Sequence, residues 1–428
     1  MTHNGAVTRP DAKHWLIAIV VLAVGLATPI FKFIIDAPPD QWQVDVQVYR
    51  EAGVSVLRGR PVYQQMTEPP QLLPFTYPPI AALLFVPLAL VPFWLAAVGW
   101  NVAQVLANLG IAVIAWHLLM RRVGPWWPVA AAAVVGAFML TQPVADGIRF
   151  AQVNAFLVLA CLVDLRRPRI RIVRWLPPGV LVGLAMAIKL TPGVFVIHYL
   201  VCRRWREAAT AIGTAAFASI TAWLVLPTAS FAFWGGALQD PNRLGPNDGS
   251  ANQAFRALLL RRGLDGADLL LAWAPYLVVI GGVGFWLARR AYQRGDWLSE
   301  VAMVGLLGFL LSPVSWMHHL HWIMVIVPAI LGPTLVRSWR QVRADGSWRR
   351  WLAALVVWGW FTVSIPFTGV LWLRYNREPR DIGHLLIEGN VLGSLIVFAL
   401  LGWAIMRPAP PDSEPPEHQG AAREKIAA

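Results

Sequence analysis

Charged residues are scarce in this sequence, where Asp, Glu, Lys and Arg together make up 14% of 428 residues. Soluble domains carry about 25% charged residues, so this chain has too few polar side chains to cover a water-exposed surface of its size. Acidic residues are the scarcer kind, 23 against 36 basic residues, and the net charge is +13. Lys and Arg retained in cytoplasmic loops account for such an excess in a membrane protein. Without a soluble basic domain, we do not expect nucleic-acid binding.

Cysteines are almost absent, and the two that occur, Cys161 and Cys202, both lie within apolar segments. This placement argues against a disulfide framework and against a cysteine-based metal site. The first apolar segment also lacks a following cleavage site with small residues. It is therefore interpreted as a retained membrane span and not as a signal peptide.

Hydrophobic residues are abundant, at 57% of the chain, and the mean hydropathy is +0.54. They are grouped in segments, several of which approach the roughly 17–25 residues that a membrane-spanning helix needs. The apolar segments are 14–35, 79–98, 100–120, 126–142, 150–164, 176–188, 191–202, 208–230, 268–288, 300–316, 319–336, 351–370 and 389–406. They predict an all-α polytopic membrane protein with about 11–13 transmembrane helices, some of them broken or re-entrant where they line a cavity.

The polar ends of the chain predict the domain limits. Residues 1–13 are expected to form a cytoplasmic tail and residues 14–406 a single membrane domain. The segment 407–428 is rich in proline and acidic residues, and its composition predicts a disordered cytoplasmic tail.

Arginine-rich loops predict the orientation, because such loops are retained in the cytoplasm. The segments concerned are 166–174, 203–206, 289–294 and 337–350. The long loops 36–77, 227–267 and 371–388 are then expected on the other side. Arg121 and Arg122 conflict with this arrangement, because two full spans between residues 79 and 120 would place them outside. The sequence leaves that parity open.

The first long loop contains a short predicted helix with an acidic residue in its first turn. Val48, Ala52 and Val56 recur every four residues, and Gly59 is a plausible helix stop. We therefore expect an amphipathic helix at the membrane surface. Asp45 lies where the helix dipole favours a carboxylate. From this pattern alone, Asp45 is interpreted either as a helix cap or as a functional acid.

Other polar residues interrupt apolar segments where a cavity wall is possible. Lys189 adjoins the break at Pro192 and is interpreted either as a contact of a lipid phosphate or as a side chain that reaches to the membrane interface. Two short polar stretches supply further candidates, although an ordinary turn or loop explains each stretch as well. These candidates are Arg149, Gln152 and Asn154 in the first stretch, and Asn252, Gln253 and Arg256 in the second.

Three histidines, His318, His319 and His321, stand together between apolar stretches. Imidazole is a common metal ligand, and His318 and His321 have the spacing of residues on one helix face. No carboxylate accompanies them in this segment, which disfavours a metal site. Contact of one or two of these imidazoles with a phosphate is the preferred interpretation.

Taken together, these segments resemble the polyprenyl-phosphate-dependent glycosyltransferases of the GT-C type, family 87. The matching elements are Asp45 with Val48-Tyr49, Tyr77-Pro78-Pro79, Gln152-Val-Asn154, Ala187-Ile-Lys-Leu-Thr-Pro192, Asn252-Gln253 with Arg256, and Ser312-Pro-Val-Ser-Trp-Met-His-His319. They occur in order between residues 40 and 325. Within the family, the chain is most similar to the actinobacterial α-1,2-mannosyltransferases that extend phosphatidylinositol mannosides.

The resemblance implies a GT-C fold in the bacterial plasma membrane with the active site on the periplasmic side. It implies inverting transfer of mannose from polyprenyl-phosphate-mannose to a phosphatidylinositol mannoside, with an α-1,2 linkage as the product. It assigns the role of base to Asp45. Negative charge that develops on the leaving phosphate is stabilised by cationic or hydrogen-bonding contacts. The candidates for these contacts are His318, as a catalytic residue, and His319, Lys189, Arg149 and Arg256. The remaining substrate-binding candidates that the resemblance gives are Tyr49, Tyr77, Gln152, Asn154, Asn252, Gln253 and Trp316.

No cofactor is expected, since the first loop offers no Asp-Asp or Glu-Asp pair to hold a metal ion near the donor phosphate. No obligate protein partner is expected either. Two alternatives stay open. The donor could carry arabinofuranose or another sugar on decaprenyl phosphate, because no motif reads the sugar directly. A lipid-linked sugar flippase or transporter would also use broken helices with polar residues, although no internal repeat is evident.

Overall fold

The computed structural model describes residues 9–36, 43–166, 170 and 173–407, and their regular structure is helical. The described residues also contain two isolated β-bridges, Met66–Pro74 and Asn252–Trp316. The predicted all-α polytopic fold class is confirmed. Residues 1–8 and 408–428 of the predicted tails lie outside the described part of the chain.

The first half of the chain forms twelve α-helices within the described ranges. They are α1 (Ala12–Ile30), α2 (Val44–Leu57), α3 (Pro79–Leu84), α4 (Val86–Ala89), α5 (Phe93–Ala115), α6 (His117–Val123), α7 (Trp127–Met139), α8 (Gln142–Phe150), α9 (Asn154–Arg166), α10 (Val180–Ile188), α11 (Val194–Val201) and α12 (Trp205–Val225). A π-helical turn, Phe31–Ile35, continues α1, and two short 3₁₀ turns precede α7 and α11 at Gly124–Trp126 and Thr191–Gly193.

The second half continues in the same way, with ten α-helices in the described residues. They are α13 (Pro227–Ala232), α14 (Phe255–Arg261), α15 (Gly266–Gln293), α16 (Trp297–Leu310), α17 (Ile323–Leu331), α18 (Trp339–Ala344), α19 (Trp348–Thr362), α20 (Ile365–Arg374), α21 (Arg380–Ile387) and α22 (Gly389–Met406). A π-helical turn covers Phe233–Ala237, and 3₁₀ turns cover Pro241–Leu244, Met317–Trp322 and Gly332–Val336.

Among the described residues, six helices are long and apolar enough to cross a membrane. They are Ala12–Ile35, Phe93–Ala115, Trp205–Val225, Gly266–Gln293, Met317–Val336 and Gly389–Met406. Two further pairs of helices reach the required length but are bent. The helical stretch His117–Met139 meets α8 at an angle of 87°, and α19 meets α20 at 42°. If each pair is one span, the number of spans in the described residues is eight. The other apolar segments form shorter helices, such as α16. The predicted crossings therefore include short and broken helices, as expected where helices line a cavity.

The predicted span 79–98 is divided in the structure. Pro87 and Pro92 interrupt the apolar run, so that residues 79–89 form only the short helices α3 and α4, which pack against α2. One long apolar helix, α5, then separates α2 from Arg121 and Arg122. Arg122 donates hydrogen bonds to the carbonyl oxygens of Leu335, at 2.7 Å, and Arg337, at 3.3 Å. The basic pair therefore lies at the same end of the bundle as the arginine-rich segment 337–350, which removes the parity conflict.

The first loop forms the predicted helix, α2, which has Asp45 in its first turn and ends before Gly59. Val48, Tyr49 and Ala52 form its buried face, which packs on α3, α4 and α5. The entry to α2 is fixed by Gln43, a fully buried residue that donates a hydrogen bond to the carbonyl oxygen of Ile148 in α8 at 3.1 Å. The first turn of α2 is thereby held beside α8.

Two close contacts set the positions of the elements around the functional site. Gly25 of α1 and Gly136 of α7 face each other so closely that a Cβ atom on Gly25 would lie 2.5 Å from the Cα atom of Gly136. Small residues allow such an approach of membrane helices, and here they bring the end of α1 near α8. The centre of the bundle is α17, whose residues are all buried. Trp116 of α5 anchors it by a hydrogen bond to the carbonyl oxygen of Met324 at 3.0 Å.

Candidate active site

A large cavity of about 1850 Å³ lies between α2, α8, α11, α16 and the break between α19 and α20. Most of the predicted site residues form part of its wall, namely Asp45, Tyr77, Arg149, Gln152, Lys189, Gln253, Trp316, His318 and His319. Three others, Tyr49, Asn154 and Asn252, lie behind the wall and hydrogen-bond to residues or segments that form it. The folding of the chain thus gathers segments that are far apart in sequence around one space.

Asp45 is held at the cavity wall by Gln152, whose side-chain amide donates a hydrogen bond to the Asp45 carboxylate. Gln152 reaches this position because α8 ends at Phe150 and Ala151 adopts a left-handed conformation with φ of 58°, which reverses the chain. The side-chain oxygen of Gln152 accepts hydrogen bonds from the Tyr49 hydroxyl at 3.4 Å and the Tyr77 hydroxyl at 3.3 Å. Gln152 is therefore oriented with its amide group toward the carboxylate.

The environment of Asp45 raises the pKa of its carboxyl group to about 7. Removal from water is the main cause, because burial disfavours the charged form. The hydrogen bond from Gln152 and the positive charge of Lys189 act in the opposite direction and lower the pKa. A carboxylate with a pKa near 7 is suited to accept a proton at neutral pH.

Lys189 extends from the end of α10 and contacts two other predicted residues. Its ammonium nitrogen lies 3.1 Å from Nε2 of His319 and 3.3 Å from the side-chain oxygen of Asn154. It also lies 5.4 Å from the centre of the Tyr77 ring. The side-chain nitrogen of Asn154 donates a hydrogen bond to the backbone oxygen of His318 at 2.9 Å. Asn154 therefore connects Lys189 to the histidine segment, residues 312–322.

The histidine segment places its three imidazoles in different surroundings. His318 and His319 line the cavity, with ring centres 4.8 Å apart. Nδ1 of His319 is buried and has no hydrogen-bond partner in the described part of the chain. The 3₁₀ turn is kinked at Leu320, and His321 points away to form a 2.7 Å hydrogen bond with Asn108 of α5. His318 and His321 therefore do not form a common site.

Asn252 and Gln253 connect the long second loop to the histidine segment. The side-chain oxygen of Asn252 accepts a hydrogen bond from the backbone N–H of Ser315 at 3.0 Å, and the backbone N–H of Gln253 donates to the Ser315 oxygen at 2.7 Å. Trp316 pairs with Asn252 through an isolated β-bridge and lines the cavity. Arg256 lies on α14, outside the cavity wall. The two amides thus position the segment that carries the histidines.

Arg149 lines a different part of the cavity from Lys189, together with residues that the sequence did not single out. Its guanidinium lies 3.9 Å from the carboxylate of Asp146 on the same helix. Lys32, Gln142 and Asn390 line the same cavity. Asp146 and Arg149 are three residues apart, which places them on one helix face. This spacing is the sequence feature from which Asp146 could have been identified as a neighbour of Arg149. Lys32 and Asn390 belong to helices remote in sequence, so no local pattern could have linked them to α8.

No group of three or more His, Cys, Asp or Glu side chains in the described ranges has the arrangement of a metal site. Metal independence remains a prediction, because activity in the presence and absence of metal ions is what tests it.

Comparisons with known proteins give relatives that are similar over most of the chain. Two relatives from Mycolicibacterium smegmatis are a polyprenol-phosphate-mannose-dependent alpha-(1-2)-phosphatidylinositol pentamannoside mannosyltransferase, 32% identical, and a polyprenol-phosphate-mannose-dependent alpha-(1-2)-phosphatidylinositol mannoside mannosyltransferase, 31% identical. Each alignment covers 84% of this chain and 84% of the relative. The pentamannoside mannosyltransferase of Mycobacterium tuberculosis is 31% identical over 93% of this chain and 89% of its own length. No solved structure gives a significant match.

The sequence pattern of glycosyltransferase family 87 matches residues 75–313, which include Gln152, Asn154 and Lys189 of the site. This match and the relatives identify the chain as an enzyme and not as a transporter, which was the alternative left open by the sequence. The chain is a membrane enzyme that belongs to glycosyltransferase family 87.

Proposed function

We propose that this enzyme transfers mannose from polyprenyl-phosphate-mannose to a phosphatidylinositol mannoside and forms an α-1,2 linkage. The observation that carries the proposal is the position of Asp45, a carboxylate with a pKa near 7 on the wall of a cavity that also presents Lys189 and His319. The relatives named above supply the identity of the donor and of the acceptor class. The active cavity is proposed to face the periplasm, because the arginine-rich segments lie at the other end of the bundle.

In the proposed reaction, a carboxylate oxygen of Asp45 accepts the proton of the acceptor hydroxyl group. The hydroxyl oxygen forms a bond to the anomeric carbon of mannose from the face opposite the phosphate. The bond between the anomeric carbon and the phosphate oxygen breaks, and polyprenyl phosphate leaves with the electron pair. A single displacement of this kind inverts the configuration from β to α.

Lys189, His318 and His319 are proposed to bind the leaving phosphate. A positive charge and N–H donors aimed at an oxygen where negative charge develops stabilise the transition state. The contact between Lys189 and Nε2 of His319 holds both groups in one place. Tyr77 and Gln152 border the same space and are proposed to position the sugar, while Tyr49 supports them from behind.

The proposal is tested by mannosyl transfer with purified protein, polyprenyl-phosphate-mannose and a phosphatidylinositol mannoside acceptor. Asp45→Asn, which keeps the shape of the side chain but cannot accept the proton, is expected to lose at least about 10²-fold in activity. Glu51→Gln is the matched control, since Glu51 lies on the same helix but outside the cavity wall.

An active Asp45→Asn protein would show that the carboxylate is not the base. An inactive wild type with this donor but an active wild type with a decaprenyl-phosphate arabinofuranose donor would assign the enzyme to the alternative sugar. Inactivity with both donors would remove the proposed donor class.

A further inference from the structure

The cavity has a second polar region, separate from Asp45 and Lys189, which we call the α8 subsite. It consists of Lys32, Gln142, Asp146, Arg149 and Asn390, all of which line the cavity. Lys32 belongs to the π-helical turn that continues α1, and Asn390 lies in the first turn of α22. Three elements remote in sequence therefore converge there. Such convergence of polar groups in a largely apolar cavity is typical of a ligand site.

Aromatic rings hold Arg149 in place within the α8 subsite. Its guanidinium lies 4.8 Å from the ring centre of Phe150 and 5.7 Å from that of Phe33. Phe150 also contacts His318, at 5.8 Å between ring centres. Phe150 thus contacts both Arg149 and a histidine of the Asp45 region. The two polar regions are therefore adjacent in one cavity, and this ring contacts a residue of each.

The only acid within reach of Arg149 among the described ion pairs is Asp146, at 3.9 Å. This distance is long for a charge-assisted hydrogen bond, which is normally about 2.7–2.9 Å. The Arg149 side chain is also 41% exposed, toward the cavity. The guanidinium therefore retains donors that can bind an anion, and Lys32 supplies a second positive charge to the same space.

Asn390 provides independent support for a ligand in the α8 subsite. It is completely buried, and its side-chain nitrogen donates to the side-chain oxygen of Gln142 at 3.1 Å. Its side-chain oxygen has no hydrogen-bond partner in the part of the chain that the structure describes. A buried carbonyl oxygen without a partner is unfavourable, and Asn390 faces the cavity. A hydroxyl group of a bound molecule would satisfy this oxygen.

Exposed apolar side chains also line the cavity. Leu140, which directly follows α7, is 47% exposed, and Phe367 of α20 is 59% exposed. Both residues line the cavity. An alkyl chain in the cavity could pack against such side chains. The cavity thus offers apolar surface as well as the polar groups of the α8 subsite.

We propose that the α8 subsite binds the phosphodiester and the hydroxyl-bearing headgroup of the acceptor glycolipid. Arg149 and Lys32 contact the phosphodiester, the oxygen of Asn390 accepts a hydrogen bond from a headgroup hydroxyl, and the acyl chains leave past Leu140 and Phe367. This inference rests on the proposed function. Direct displacement requires both lipids in the cavity at once, so two phosphates must be bound there. Because Lys189 and His319 are proposed to bind the donor phosphate beside Asp45, the acceptor phosphodiester needs a second site.

The kinetic experiment measures the KM values of donor and acceptor separately for Arg149→Gln, Lys189→Gln and the wild type. Arg149→Gln is expected to raise the acceptor KM about tenfold, the effect of one lost charge-assisted hydrogen bond, and to leave the donor KM within about twofold. Arg149→Lys, which keeps the charge, is expected to recover part of the loss. Arg262→Gln is the control, since Arg262 is exposed on the second loop and outside this cavity.

A rise in the donor KM instead would assign the α8 subsite to the donor phosphate and overturn the proposal. Unchanged KM values for both lipids would show that Arg149 only pairs with Asp146, which also overturns it.

A binding experiment separates this inference from the proposed function. Purified protein in detergent is titrated with phosphatidylinositol, without donor, and binding is followed by native mass spectrometry. Arg149→Gln is expected to weaken binding about tenfold relative to wild type and Arg262→Gln. If no mannosyl transfer occurs but phosphatidylinositol binding depends on Arg149, the proposed function fails and the lipid subsite stands. If transfer occurs but binding is the same in all variants, the subsite fails and the function stands.

Discussion

The side-chain amide of Gln152 donates a hydrogen bond to the carboxylate of Asp45, across a sequence separation of 107 residues. Both side chains are fixed by their surroundings. Gln152 is oriented by the hydroxyl groups of Tyr49 and Tyr77, and the first turn of α2 is tied to α8 through Gln43. A base that is held in one orientation needs little rearrangement when it accepts a proton.

The rate of transfer is expected to depend on the ionisation of Asp45. Its pKa is raised from 3.8 to about 7, and only the ionised carboxylate can accept the proton. The rate therefore falls as pH decreases through about 7. Below pH 6, kcat/KM is expected to fall about tenfold per pH unit. A profile of kcat/KM between pH 5 and pH 9 measures this dependence, and a rate that is constant down to pH 5 would contradict the assignment of Asp45 as the base.

Replacement of Gln152 by leucine is expected to shift that pH profile to higher pH. The amide of Gln152 donates to the ionised carboxylate and so lowers the pKa of Asp45. Its removal raises the pKa, so activity at pH 7 decreases and part of it returns at pH 8.5. Gln104→Leu is a control, because this buried glutamine on α5 lies outside the cavity wall. A uniform loss at every pH would indicate that Gln152 acts on the substrate and not on Asp45.

Replacement of Lys189 by glutamine is expected to reduce kcat about 10²–10³-fold, the usual effect of one lost stabilising donor. The ammonium group lies 3.1 Å from His319 and faces the cavity, where the leaving phosphate is proposed to bind. Lys13→Gln, at the exposed start of α1, serves as the control and should retain wild-type activity. Single-turnover rates of the two variants provide the measurement. A change in the donor KM without a change in kcat would contradict this prediction. It would mean that Lys189 binds the donor in the ground state and in the transition state equally well.

Replacement of Glu388 by glutamine is expected to destabilise the second loop. Glu388 is 3% exposed and accepts two hydrogen bonds from Arg261, at 2.8 and 2.5 Å. Removal of one partner from a buried ion pair typically costs about 3–5 kcal/mol. A lower thermal unfolding temperature is therefore expected for Glu388→Gln.

The control for that variant is Asp345→Asn, which removes an ion pair with Arg337 at the exposed opposite end of the molecule. Surface pairs contribute little to stability, so no change in unfolding temperature is expected. Equal unfolding temperatures of the Glu388 variant and wild type would mean that the Arg261 pair does not hold the loop.

Activity is expected to be independent of divalent metal ions. The phosphate contacts proposed here are Lys189, His318 and His319. They supply a positive charge and hydrogen-bond donors to the phosphate, and none of them supplies a carboxylate to a metal ion. Transfer assays with and without excess chelator measure this directly. Activity that is abolished by chelator and restored by added Mg²⁺ or Mn²⁺ would show that a metal ion takes part.

The class of the protein and several single elements could be predicted from the sequence. Apolar segments and the scarcity of charge are local properties, and they are sufficient to identify a helical membrane protein. The helix at 44–57 and the position of Asp45 in its first turn follow from a periodic pattern and a helix stop, both of which are also local. Lys189 beside Pro192 could be recognised in the same way.

Local patterns did not determine how far each apolar segment extends. Residues 79–98 have enough apolar residues for a span, yet the structure divides them into α3, α4 and the start of α5, because prolines interrupt the run and α2 offers a protein surface to pack on. With that division, Arg121 and Arg122 lie at the same end of the bundle as the segment 337–350, a point that the sequence had left open. The sequence therefore predicted apolar segments, while packing decided which of them cross.

The partners of the site residues were decided only by the tertiary structure. The contacts of Asp45 with Gln152 and of Lys189 with His319 join segments separated by more than a hundred residues, and no local pattern encodes such a contact. Packing also turned His321 toward Asn108, left Arg256 outside the cavity wall, and placed Arg149 beside Asp146 and near Lys32. The residue types were determined by the sequence alone. Their chemical environment was decided by which helices pack together, since burial and neighbouring charges arise only from that packing.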